Sequence, residues 1–220
     1  MSSHHIVRDD QEPALIIANG ESCSSELMGQ LLEWSPLIIV LDSAMERVSK
    51  LGIKVDVLLG DFDRGFEPES YLEYQYPLEI VRIEDQNSTD LEKAFQYLIQ
   101  RNIPSANVLW ATGKRMDHTI ANLTNIVKYS SQLKIVILDD YSKVYRLPNH
   151  FEKWYPAKTP ISLIPVGTVE GISTVNLDYP LNDESLELGY RSGSSNSVHQ
   201  DGLVKISYRT GHLLMMECTD

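Results

Sequence analysis

Two carboxylates one residue apart, Asp61 and Asp63, follow the apolar run Val55 to Leu59 and its terminal Gly60. Along an extended backbone such residues point to the same side, so both face one crevice just past a strand's carboxyl end. Two anions held that close repel each other unless a cation sits between them, and Mg²⁺ is the usual oxygen-ligated choice. A plain polar turn has the same composition, because Asp and Gly favour turns for local reasons.

A second acidic stretch reads Asp85-Gln86-Asn87-Ser88-Thr89-Asp90-Leu91-Glu92. Thr89 and Glu92 have capping-box spacing, and Asp90 in the first helical turn gains from the helix dipole. Gln86 has no such local explanation. The functional alternative puts Asp90 with Asp61 and Asp63 around a metal, while the helix amino end faces phosphate oxygens. A third stretch, Ala111 to His118, carries two cations, an acid and a histidine. Gly113 permits close backbone approach, and Lys114 with Arg115 can clamp phosphates. Asp117 can equally cap a helix that starts at His118, with His118 a buried hydrogen-bonding residue. Acid-rich loops with scattered cations point to metal-assisted phosphoryl chemistry. The stretch is not a Walker loop, no Gly-x-Gly-x-x-Gly occurs, and the histidines lack metal spacing. The serines lack a nucleophile-elbow context.

The elements that must position these residues alternate. Apolar runs 14–18, 37–41, 55–59, 79–83, 107–111 and 134–138 are separated by helix-like segments 26–34, 44–51, 89–101 and 118–129. That order predicts an α/β fold with a mostly parallel sheet, whose ligands gather outside the strand carboxyl ends. Asp42 and the three stretches above all fall on that rim. After Leu147 prolines accumulate and short β-like runs replace helices. The expectation is an α/β domain over 1–147 and a smaller antiparallel β-sandwich domain over 148–220. Ser192 to Ser197 reads as a flexible loop by composition.

A net charge of −12, with acids spread along the chain, disfavours a nucleic-acid binder. Two distant cysteines fit a reducing cytoplasm, and no apolar run is long enough to span a membrane or resembles a signal peptide. The reading is a soluble cytoplasmic protein.

Gly60-Asp61-Phe62-Asp63, then Asp85-Gln86-x-x-Thr89-Asp90-Leu91-Glu92-x-Ala94, Arg115-x-Asp117-His118-x-x-x-Asn122-Leu123 and Ser195-Asn196 together resemble the thiamine pyrophosphokinase family in order and spacing. Gly171-Ile172-x-Thr174 through Tyr179-Pro180-Leu181 is similar as well. The resemblance implies a Rossmann-like domain followed by a β-sandwich, and a homodimer binding thiamine between subunits. It also implies transfer of the terminal diphosphate of ATP to the thiamine hydroxyl, releasing AMP. Asp61, Asp63 and Asp90 would be catalytic and hold Mg²⁺, with Asp42 a further rim acid. Thr89, Arg115, Asp117 and His118 would surround ATP. Gln86 and Asp90 would contact thiamine, as would Ser195 and Asn196 from the partner subunit. Two departures stand out: Ser43 follows Asp42, and Lys114 follows Gly113, where the family commonly has glycine. Asp61-Phe62-Asp63 also resembles the first motif of haloacid-dehalogenase-type phosphohydrolases, and a catalytically silent thiamine- or nucleotide-binding module is a further alternative.

Overall fold

The computed structural model describes residues 13–62 and 65–219; Asp63 therefore lies outside the described residues. The chain divides between Asp139 and Asp140 into two compact units.

In the first unit six strands pair in parallel: β1 (Ala14–Ile17), β2 (Ile38–Leu41), β3 (Val57–Gly60), β4 (Glu79–Arg82), β5 (Ser105–Leu109) and β6 (Lys134–Leu138). Their order is β4-β3-β2-β1-β5-β6. Among the described residues α-helices α1 (Ser25–Leu32), α2 (Met45–Lys50), α3 (Asp90–Gln100) and α4 (Met116–Lys128) connect them, with a 3₁₀ turn (Pro68–Tyr71) between β3 and β4. Strands β1, β2, β3 and β5 are buried at every position, as parallel strands covered on both faces should be. The expected alternation is therefore present to within two residues at nearly every element end. From β1 the order runs to β2, β3 and β4 on one side and to β5 and β6 on the other, which makes the gap between the β1 and β5 loops the topological switch point.

The second unit pairs antiparallel throughout: β7 (Ser142–Arg146), β8 (His150–Tyr155), β9 (Pro160–Val175), β10 (Glu184–Glu187), β11 (Gly193–Ser197), β12 (Gly202–Ser207) and β13 (Thr210–Cys218). The boundary lies earlier than the expected 147/148 division because β7 pairs with β13, Met216 opposite Val144. In place of short runs alone, the long strand β9 runs unbroken from Pro160 to Val175. Its first half pairs with β11 and β13 and its second half with β10 and β12. The Ser-rich patch read as a flexible loop is strand β11, with Asn196 opposite Ile161.

The core of this unit includes Leu147, Tyr155, Ile161, Leu163, Ile206 and Met215. A charged knot sits beside it. Glu217 accepts from Tyr145 Oη at 2.5 Å, Tyr155 Oη at 2.6 Å and Lys153 Nζ at 2.8 Å. Burial pushes the Glu217 carboxyl up, but donation from Lys153 and the two tyrosines outweighs it and holds the group below its ordinary value. Burial beside that carboxylate pushes both tyrosines up.

Removing the carboxylate strands two buried hydroxyls and an ammonium, so Glu217→Ala lowers stability by about 3 kcal/mol in urea denaturation near neutral pH. A depressed folded-state carboxyl stabilises above its unfolded value and loses that contribution as pH falls through the folded one, so wild type loses stability below about pH 4. Glu217→Gln removes that acid-dependent component; an unchanged acid limb in this variant would show that the knot is not its source.

Candidate active site

The crevice opens where β1 and β5 end. Gly20, just after β1, donates its N–H to the carbonyl of Trp110, and Glu21 N donates to Thr112 O at 2.7 Å. A Cβ on Gly20 would overlap the Trp110 and Thr112 carbonyls, so glycine lets the two loops be stitched together.

The acidic wall comes from β3 and α3. Asp61 follows β3, and Asp90 is the first residue of α3. Between them lies Lys93, one turn into α3, with its Nζ 3.0 Å from Asp90 Oδ1 and 3.4 Å from Asp61 Oδ2. Its side chain is only 2% exposed, so this ammonium is buried against the two acids. Burial alone would lower the lysine's pKa, but Asp90 and then Asp61 turn the net shift upward.

Asp42 lies beneath, in a 3₁₀ turn (Asp42–Ala44) after β2. Its oxygens accept from Ser43 N at 2.5 Å and Phe62 N at 3.2 Å. A Cβ on Gly60 would overlap this carboxylate. Burial, followed by the Asp90 charge, raises the Asp42 pKa against these backbone donors, and Asp61 adds to the rise. Two carboxylates thus share one ammonium, with the Asp42 carboxylate held nearby by backbone N–H groups, leaving excess negative charge.

Thr89 and Glu92 form the capping box in full, the Glu92 N to Thr89 Oγ1 bond being 3.3 Å and the Thr89 N to Glu92 Oε2 bond 3.1 Å. Glu92 Oε1 also accepts from Lys128 and, at 3.3 Å, from Tyr129 Oη, which ties the start of α3 to the end of α4. Thr89, Gln86, Asp61 and Asp90 line the crevice, as do Arg115 and His118 across from them. Asp42 and Asp117 do not feature in that lining.

Asp117 is not a helix cap. Helix α4 begins at Met116 with Arg115 at the cap position, and the Asp117 carboxylate pairs with Arg115 at 2.5 and 3.1 Å. That pairing pulls Asp117 down to about 2. His118 is exposed rather than buried, since α4 presents that face to the crevice.

Ser195 and Asn196 belong to the second unit. The Asn196 amide is spent on Tyr179, accepting from its N at 3.0 Å and donating to its O at 2.8 Å. Ser195 is exposed in a left-handed conformation with φ 58°.

Sequence reasoning missed Lys93 and the Asn19-Gly20 loop. The loop was findable, because it follows β1 at the switch point. Lys93 offered only its one-turn spacing from Asp90.

Among the described residues no three His, Cys, Asp or Glu side chains converge as a metal-ligating group. The chemistry of the donors nevertheless suits a hard divalent cation, being all carboxylate oxygen and in charge excess.

Carboxylates facing cations at the switch point of a parallel sheet have the chemistry that phosphate handling uses. Comparison with known proteins narrows this. Residues 28–137 match the catalytic domain of thiamin pyrophosphokinase, and residues 150–213 match its vitamin B1 binding domain. Thiamine pyrophosphokinase 1 from rice (Oryza sativa subsp. japonica) is 31% identical over 169 residues, which is 69% of this chain and 62% of the rice protein. The chain thus spans under two thirds of that relative. Thiamine pyrophosphokinase from Bacillus subtilis is 27% identical over 191 residues, covering 84% of this chain and 88% of the relative. A crystal structure of the Bacillus subtilis enzyme superposes with a TM-score of 0.78 at 25% identity, covering 94% of this chain and 99% of that one. This chain belongs to the thiamin pyrophosphokinase family.

Removing the buried ammonium leaves the Asp61 and Asp90 carboxylates uncompensated. Lys93→Met therefore destabilises the protein by about 3 kcal/mol in urea denaturation. Wild-type stability in this variant would show that the acids are balanced by solvent instead.

Proposed function

We propose that this chain transfers the diphosphate of ATP to the hydroxyl of thiamine, giving thiamine diphosphate and AMP. The observation that carries this reading is the convergence in one crevice of Asp61, Gln86, Thr89, Asp90, Arg115 and His118, from three separate stretches that match the family in order. In the reaction the alcohol oxygen bonds to the β-phosphorus, the bond from that phosphorus to the α–β bridging oxygen breaks, and AMP departs with the bridging oxygen. Positioning and charge neutralisation do most of the work in such a displacement.

Asp61 and Asp90, with Asp63 and the underlying Asp42, are the residues proposed to hold Mg²⁺. When bound, that ion would neutralise charge along the triphosphate. Asp61 or Asp90 orients the thiamine hydroxyl and accepts its proton. Thr89, Arg115 and His118 surround the nucleotide, with Asp117 fixing the Arg115 guanidinium. Gln86 contacts thiamine. Ser195 and Asn196 meet it from a partner subunit in a homodimer, Asn196 by fixing the Tyr179 backbone beside strand β11. The cytoplasm, the compartment expected from composition, supplies ATP. No helix among the described residues is long and apolar enough to cross a membrane.

Purified protein given ATP, Mg²⁺ and thiamine should form AMP and thiamine diphosphate in equal amounts, with no AMP when thiamine is omitted. Asp61→Asn and Asp90→Asn should each cut turnover by about 100-fold or more. AMP formation without thiamine, or full turnover in both variants, would remove the reading.

A further inference from the structure

Not every cation at the crevice is available to a ligand. The Lys93 ammonium is held by Asp61 and Asp90, and the Arg115 guanidinium is held in a two-point pair by Asp117. A phosphate that recruited either would have to compete with a carboxylate already in place. Lys114 also lines the crevice, and its partner is different. Its Nζ lies 3.4 Å from the neutral amide oxygen of Asn19. Among the described residues no carboxylate pairs with it.

We propose that Lys114 is the cation that grips the polyphosphate of the nucleotide, a role carried by this chain's Gly113-Lys114-Arg115 loop. The proposal rests on the reading of the crevice as an ATP site. Leaving a long hydrogen bond to a neutral amide costs little, whereas leaving an ion pair costs the pair. A lysine ammonium binds phosphate as a compact point charge with three rotatable donors, so it can follow the oxygens of a polyphosphate.

The surroundings hold this lysine in position. Asn19 Oδ1 also accepts from Arg47 Nη1 at 3.0 Å, and the same nitrogen donates to Gly20 O at 2.9 Å. Arg47 donates further to Ser22 Oγ and lies 4.3 Å over the Trp110 ring. Two cations therefore converge on one amide oxygen, and among the described residues neither has an acid partner, in a chain whose net charge is −12. That local positive excess faces a crevice whose other wall is acidic, and an anion is the ligand that relieves it. The backbone also allows a side chain at 114. Gly113 takes the left-handed turn at φ 90°, and a Cβ there would overlap Glu21. Lys114 is absent from the residues with positive φ, so the glycine usual here in the family is not required by the chain path.

The test is isothermal titration of wild type, Lys114→Ala and Lys114→Arg with ATP and, separately, with adenosine, both in EDTA and with Mg²⁺. Thermal melts of each variant check folding. Losing one charge-assisted contact weakens ATP binding by about tenfold in Lys114→Ala, leaves adenosine binding within about twofold, and spares Lys114→Arg. Because the contact is ionic and exposed, the gap narrows as salt is raised. If wild type binds ATP and Lys114→Ala binds it equally well, the proposal is overturned while the ATP reading stands. An equal loss for adenosine would show a distorted loop and overturn it too. Wild type binding no ATP would overturn both.

Discussion

The ammonium of Lys93 is the interaction on which the first unit's site depends. Asp61 is carried by the end of a strand and Asp90 by the start of a helix, so nothing in local backbone geometry obliges their carboxylates to approach each other. A buried lysine reaching both at 3.0 and 3.4 Å does. Taking that charge out of water is costly, and one acid alone would barely offset it. Two acids offset more of that cost. The ammonium also offsets the repulsion between the two carboxylates that it holds. The neighbouring Asp42 has its pKa raised first by burial and then by the Asp90 charge.

Backbone strain is placed around that centre. Phe62 and Trp110 both adopt left-handed conformations, at φ 53° and 56°, where a bulky side chain costs on the order of 1–3 kcal/mol. Each sits one or two residues beyond a strand that feeds the crevice. Packing offsets the cost. Phe62 stacks on Phe66 with ring centroids 5.7 Å apart and lies under Arg82 at 4.9 Å, and Trp110 lies under Arg47. The turn at Phe62 also brings its N–H to Asp42, so the strained residue holds an acid in place. Gly60 and Gly20 complete the device, each placed where a Cβ would meet a neighbouring loop.

Much of this was legible in the sequence, for identifiable reasons. Continuous apolar runs such as Leu37 to Leu41 announce buried parallel strands, and Thr89 with Glu92 announces the start of α3, because both signals are local. What was not legible depends on partners distant in the chain. Strand β11 is made of Gly, Ser and Asn, and it is a strand only because β9 supplies the ladder. Strands β7 and β8 mix charged and aromatic residues whose burial is decided by β13 and β12. Lys93 reads as an ordinary surface lysine, since unpaired lysines almost never bury, and the second acid that buries it lies 32 residues away. The Arg115–Asp117 pair was hidden differently. A cap for α4 and a clamp for Arg115 require the same residue type, and two residues of helix register decided between them.

The two units contain the same kind of object put to different ends. In the second, Glu217 is a buried carboxylate met by one ammonium and two hydroxyls, and its depressed pKa shows that the donors more than satisfy it. A ligand would gain nothing by displacing any of them, so the knot serves to lock strands β7, β8 and β13 together. In the first unit the signs are reversed and the count is unequal, with one buried ammonium serving two acids and two further cations left to a neutral amide on the opposite wall. Charge that is balanced inside the fold contributes to stability; charge left in excess is what a bound ion or phosphate can complete. An acidic chain can therefore hold an anionic nucleotide, because binding follows the few charges the fold has not already paired rather than the sum over its surface.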